Sequence, residues 1–403
     1  MTMELSRTHQ YLEILSRLMF RGYSTGFQTP APNLEAVYPD VEYISTLNDI
    51  ELADFLRVAD IHHVTVRALQ VVGNAASTLG HPRVSQWCES TLSSERARIE
   101  RAIGFLERIC QALEAARCKV SVIKSLDHWS DLGSDLDLYT SGDEHTVARV
   151  MTKEFKAEQE PRSWGDRLAN KWNFSIPGLP ELVEIHVQYL GQTGEHKLMA
   201  RRVIERSVTR ELNGHVFRVP APEERVVIST LQRMYRHFYF RLCDMMDFAG
   251  LLQAHAIDFA ELRRAADIGG IWPGVATFLA LVSDYVNRYG GKAEVPHEVV
   301  AASCSANIRV QARGDFLRVP MLPAASLYGS QLLSASRHRD LRAMCRLPLL
   351  PPYRLYLIAD TPKHAVHCND RYESFITWSP QRHESGAPSV SGRWRLNGGI
   401  SSR

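Results

Sequence analysis

The chain has 403 residues, of which 45% are apolar and 23% charged, the balance of an ordinary globular protein with room for two or three domains. Lys plus Arg number 47 and Asp plus Glu 45, so the formal net charge is +2, which argues against a dedicated nucleic-acid coat and against a polybasic membrane anchor. No apolar run approaches the roughly 18 residues of a membrane span, and the N-terminal segment, with acidic Glu4 and no small-residue cleavage site, does not read as a signal peptide. The cysteines are scattered and none forms a CxxC pair. They read as reduced, buried thiols of a cytoplasmic protein, and none is expected to be a metal ligand.

Residues 1–117 read as helical. Asn48 with Glu51 is a capping-box pattern ahead of an apolar face at Leu52, Phe55, Leu56 and Ala59. Gly80, His81 and Pro82 punctuate the stretch. A long helix is predicted over about 85–116, with an apolar stripe at Leu92, Ile99, Ile103, Leu106, Cys110 and Leu113. His62 and His63 fall in the earlier helical pattern, where neighbours point about 100° apart, so the pair is not expected to chelate one metal.

Residues 118–190 change period and form a small α/β unit. Strands are predicted at 119–124, 134–139, 170–176 and 182–189, with a helix capped by Asp143 and a turn at Pro177 and Gly178. Residues 191–350 return to helix: a short strand at 216–219, a helix over 223–253, others at 257–266 and 275–289, and a basic one at 331–345. Residues 351–403 read as a partly flexible tail, most clearly from 380 on. The fold class expected is α+β, a small mixed sheet within a larger, mostly α-helical frame.

The chemistry gathers at GSDLDL, residues 133–138. Positions i and i+2 of a strand share a face, so Asp135 and Asp137 present two carboxylates side by side. Such a pair repels itself unless a cation lies between, and hard oxygen donors suit Mg²⁺ with substrate phosphates. Glu184, on the polar face of the 182–189 strand with His186, is the best third carboxylate for a metal-assisted phosphoryl-transfer site. Gly133 and Ser134 offer close backbone approach and donors to a phosphate. Asp127, His128 and Asp131 read as solvated turn residues, and Trp129 and Trp164 as packing residues. Arg241 and Asp244 can pair across one helical turn, with Asp247 a turn beyond. The basic segment 201–215 reads as a solvated helix face.

These residues resemble the nucleotidyltransferase, or DNA polymerase β-like, superfamily, whose members carry a Gly-Ser turn, an Asp-x-Asp strand about ten residues later and a later strand with a third acid. Ser125 precedes Asp135 by ten positions. IKS, GSDLDL and EIH resemble, in order, the motifs of the uncharacterised nucleotidyltransferase family of bacteria, and the similarity runs over roughly residues 94–283, including RHFYFRLCDMMDFAGLL. The chain departs in having Ser125 for the family glycine and Lys124 for the superfamily one.

The resemblance implies an enzyme in which Asp135, Asp137 and Glu184 bind Mg²⁺ or Mn²⁺ and carry catalysis. Lys124, Ser125, Gly133, Ser134 and Arg241 would contact the nucleotide. A nucleoside monophosphate would pass from a nucleoside triphosphate to a hydroxyl acceptor (a sugar, glycan precursor, peptide, protein or RNA end), with release of pyrophosphate. Glu184 would join at a second metal and is a candidate base toward that hydroxyl. Two other readings stay open: a catalytically silent nucleotide-binding or regulatory module, and a choline-phosphate transferase-like enzyme of the same fold.

Overall fold

The computed structural model describes residues 2–22, 34–304, 309–319, 322–349, 376–380 and 392–396. Met1–Leu347 and Pro348–Arg403 form two compact units. The larger one is mixed α+β, mostly helical around a small mixed sheet. Among the described residues no helix is long and apolar enough to cross a membrane.

Helices α1 (Thr2–Arg17), α2 (Tyr38–Thr46), α3 (Asp49–Ile61), α4 (Thr65–Leu79) and α5 (Pro82–Ala115) come first. The capping box forms as the sequence predicts: Asn48 accepts from Ile50 and Glu51 N–H groups at 3.0 Å, and Glu51 accepts from Asn48 N–H at 3.0 Å. Gly80 adopts a left-handed φ of 76° that closes α4, and Pro82 opens α5. The buried stripe of α5 includes Leu92, Ile99, Ile103, Leu106 and Leu113, and it packs against the sheet.

The sheet is built from β1 (Val120–Val122), β2 (Asp135–Thr140), β3 (Glu158–Gln159), β4 (Lys171–Ile176) and β5 (Leu179–Val187), in the order β1-β2-β5-β4-β3. Strand β2 runs parallel to β5, and the other pairs are antiparallel. One face of the central pair, Leu136, Leu138, Val183, Ile185 and Val187, is fully buried. The opposite face carries the polar side chains, as the alternation requires. Helix α6 (Glu144–Glu154) is capped by Asp143, which accepts from Thr146 N–H at 2.9 Å, and α7 (Trp164–Ala169) leads into β4.

Several expectations from the sequence are corrected after β5. The basic segment 201–215 is not one helix face. It contains the end of α8 (Leu198–Glu205) and a hairpin of β6 (Ser207–Leu212) with β7 (His215–Pro220), turned by Asn213 and Gly214 at φ 49° and 81°. An Asn-Gly pair is a strong hairpin signal, because both central residues of the turn need positive φ. Arg202 and Arg206 are not free charges either: they pair with Glu223, Glu224 and Glu261.

The single helix expected over 223–253 is broken. It consists of α9 (Pro222–Thr230), a π-helical stretch Leu231–His237, the short β8 (Tyr239–Phe240) and α10 (Leu242–Gln253). Phe238 takes a left-handed φ of 58°, which ends the helix and lets β8 pair with β10 (Phe316–Arg318), beside β9 (Gln311–Arg313). Helices α11 (Phe259–Ile268), α12 (Trp272–Arg288) and α13 (His297–Ala302) lie between. The last basic helix is two, α14 (Leu322–Arg337) and α15 (Leu341–Arg346), parted where Arg339 turns left-handed. In the smaller unit, Ile376–Pro380 pairs with Gly392–Leu396 where a flexible tail is expected from the sequence; the rest of that tail lies outside the described residues.

Candidate metal and phosphate site

The polar face of the sheet converges on one row. In register, Asp137 of β2 stands opposite Glu184 of β5, and Glu184 stands opposite Asn173 of β4. Asp135 lies one rung toward the start of β2, opposite Leu182. Ligand atoms of Asp137, Glu184 and His186 all fall within 4.8 Å of one another. The close group is therefore Asp137, Glu184 and His186, where the sequence suggests Asp135, Asp137 and Glu184.

A cation already reaches into this group. Chain β1 ends at Val122, and Lys124 turns left-handed at φ 61°, which aims its ammonium back across β2. Lys124 Nζ lies 2.5 Å from Asp137 Oδ1 and 3.7 Å from Glu184 Oε1. A second ammonium comes from β4: Lys171 Nζ lies 2.8 Å from Glu184 Oε2 and 3.1 Å from Asp166 Oδ1. His186 Nε2 is 2.8 Å from Glu184 Oε1. The sequence reading missed Lys171, Asp166 and Asn173. The alternation of KWN in β4, polar at i and i+2, was the available signal for Lys171 and Asn173.

The electrostatics divide the two acids. Burial pushes the Asp137 carboxyl up to about 6 and the nearby Glu184 adds to it, while Lys124 opposes both. Burial also pushes Glu184 upward, but Lys171, Lys124 and His186 outweigh it and hold that carboxyl well below its ordinary range. Burial drives the His186 imidazole down to about 4, so the ring is neutral at pH 7 and able to bind a metal.

The donor set fits a divalent cation. Two carboxylates and a neutral imidazole lie together, and Asn173 Oδ1 and His186 Nδ1 are buried with no hydrogen-bond partner. Unpartnered buried polar atoms of this kind are costly without a ligand. The ammonium of Lys124 shows that positive charge is already stabilised at this spot.

The remaining expected site residues are placed as follows. Ser125 is buried; its hydroxyl donates to Asp135 C=O at 3.2 Å and accepts from Asp137 N–H at 2.7 Å, so it fastens β2 rather than offering itself to a phosphate. Ser134 is exposed at the mouth of β2, with its C=O accepting from Leu182 N–H at 3.1 Å. A Cβ on Gly133 would lie 2.7 Å from His63 Cε1, so a side chain there would push against that ring. Arg98 of α5 holds this entry: it donates to Leu132 C=O at 2.8 Å and pairs with Glu181 of β5.

Arg241 is the N-cap residue of α10, and its backbone N–H donates to Asp244 at 2.7 Å. Asp244 is also ion-paired with Arg233, at 2.8 Å. Trp129 packs against the core, and Trp164 is half exposed at the start of α7. His128 and Asp131 are buried and the Asp127 side chain is only 7% exposed, so none of the three is a solvated turn residue. Asp127 pairs with Arg225 at 2.7 Å, Arg67 joins Asp131 at 2.6 Å and Asp247 at 3.1 Å, and His128 Nδ1 bonds Asp247.

No protein-family model matches the chain, and no curated protein matches it. Among solved structures, an antigenic nucleotidyltransferase-like protein from Paracoccidioides brasiliensis aligns at 15% identity over 49% of this chain and 95% of that chain, with a TM-score of 0.30. A likeness of that size carries no argument for activity, and the functional reading rests on the residues themselves.

Proposed function

We propose that the chain is a divalent-metal-dependent nucleotidyltransferase acting on a nucleoside triphosphate and a hydroxyl acceptor. The observation that carries this reading is the row Asp137–Glu184, a carboxylate pair on adjacent strands with positive charge held between them. Asp137, Glu184 and His186 would hold Mg²⁺ or Mn²⁺, and Asp135 would extend the carboxylate surface one rung outward. The ion would supply charge neutralisation for the phosphates.

The chain's own groups do the rest. Lys124, on a short tether beside the acids, is placed to bind phosphate oxygens once a metal takes its carboxylates. Lys171 and Asp166 fix Glu184 in one orientation, so it arrives ionised and preorganised.

A second reading, a silent nucleotide-binding module, draws on the same Lys124 contact, since an ammonium can replace the metal outright. One experiment separates the two. Wild type and an Asp135→Ala/Asp137→Ala variant are incubated with Mg²⁺, each α-labelled nucleoside triphosphate and a cell extract. Label transfer or pyrophosphate release that the variant lacks supports the enzyme. Nucleotide binding with no turnover in either protein supports the silent module.

A further inference from the structure

Behind the entry to β2 lies a second group that the mechanism does not use. His63 follows α3, His128 lies in the segment before β2, and Cys243 is near the start of α10. One ligand atom from each falls within 4.8 Å of the others. His128 Nε2 and Cys243 Sγ are 3.7 Å apart. A tetrahedral ion with bonds of about 2.0 Å to nitrogen and about 2.3 Å to sulfur holds such a pair about 3.5 Å apart.

The surroundings are those of a metal site. His128 Nδ1 is bonded to the Asp247 carboxylate, which orients the ring with Nε2 toward Cys243. Metal-bound histidines commonly have such a carboxylate behind them. Asp247 is in turn held by Arg67 at 3.1 Å. His63 Nδ1 is buried with no hydrogen-bond partner. The backbone of His63 is left-handed at φ 50°, which turns its ring away from that of His62. His62 serves the fold: its Nδ1 accepts from Leu242 N–H at 3.0 Å, and its Nε2 is 2.9 Å from Asp315 C=O.

The same atoms also form a thiol–imidazole–carboxylate line. A nucleophile needs substrate access, and Cys243 is 0% exposed, so the arrangement does not suit acyl transfer. A thiolate with two imidazoles suits a borderline-soft cation, unlike the oxygen-rich group at Asp137.

We propose that His63, His128 and Cys243 bind one zinc-class divalent cation that fastens the α3–α4 corner, the segment before β2 and α10 to one another. The sequence hid this site because its ligands lie far apart in the chain and no two are paired at ligand spacing. On binding, the Cys243 thiol proton and any proton on His128 Nε2 pass to solvent, while His128 Nδ1–H keeps donating to the Asp247 carboxylate.

The test uses the full-length chain expressed with zinc and dialysed, then the same chain reconstituted with Co²⁺. We expect about one zinc per chain by elemental analysis, and with Co²⁺ a thiolate-to-metal charge-transfer band. Cys243→Ser should lower zinc content at least about tenfold and remove the band, whereas Asp137→Ala should keep both. The Asp137 group contains no sulfur, so the band reports on this site alone and stands or falls apart from the proposed transferase activity. Metal-free wild type after dialysis, Co²⁺ bound without the band, or a Cys243→Ser chain with full zinc content overturns the proposal. If Cys243→Ser does not fold, the wild-type cobalt spectrum and a His63→Gln variant decide it, with loss of stoichiometric zinc in His63→Gln expected.

Discussion

Asp137 and Glu184 face each other across two parallel strands, and one ammonium, that of Lys124, lies 2.5 Å from the first and 3.7 Å from the second. Removing that ammonium leaves the buried Asp137 carboxylate unpaired beside Glu184 on the adjacent strand, with only Lys171 left to offset the two. Lys124→Met should therefore lower metal-free stability by about 3 kcal/mol. Millimolar Mg²⁺ should restore most of the loss, because the metal takes over the missing charge. Urea denaturation with and without Mg²⁺ measures both effects, and a loss that Mg²⁺ does not touch counts against a metal at this row.

The two aspartates of β2 should behave differently. Asp137 belongs to the close group with Glu184 and His186, and Asp135 lies a rung away. Asp137→Asn should abolish the Mg²⁺-induced rise in Tm and reduce turnover by about 10²-fold or more. Asp135→Asn should keep part of that rise. Identical thermal responses in the two variants would contradict the grouping seen in the structure.

Arg67 links Asp131 and Asp247, and all three side chains are at most 4% exposed. Truncating one partner of such a network strands buried charge. Arg67→Ala should cost about 3–5 kcal/mol in chemical denaturation. A change below about 1 kcal/mol would show that the network is solvated, as the sequence reading of Asp131 expected.

Acid stability should carry the mark of Glu261. Hydrogen bonds from Arg202 and then Arg264 lower its carboxyl to about 2, overcoming the opposing effect of burial. A folded-state pKa below the unfolded value of 4.5 stabilises the fold above pH 4.5, and that contribution is lost as pH falls toward 2. Its size after screening by solvent is about 1 kcal/mol. Glu261→Gln should flatten the fall in stability between those pH values. An unchanged slope would assign acid unfolding to other carboxylates.

Much of the sheet was legible because its signals are local. Alternation at 134–139 and 182–189 placed the acids on one face, and the Asn48–Glu51 cap was written in four residues. The row itself was only half legible. Alternation says which face Glu184 occupies, but not that β5 rather than β4 lies beside β2, nor that Lys171 reaches across to Glu184. His128 and Asp131 were misjudged for the same reason. Their partners Asp247 and Arg67 come from α10 and α4, and no local pattern announces a buried ion network assembled from separate segments. The broken helix around Phe238 was hidden by residues with ordinary helical propensity, overridden by pairing with β10.

The left-handed turn at Lys124 stands where the resembled superfamily has glycine. An L-residue there bears about 1–2 kcal/mol of backbone strain that glycine would not. Lys124→Gly would relax the main chain and strip Asp137 of the ammonium beside it, leaving Glu184 with Lys171 alone. Main-chain ease and local neutrality are thus in direct conflict at one residue. The native chain resolves the conflict in favour of charge, and a metal at these carboxylates, as proposed, would set that amine free for another anion.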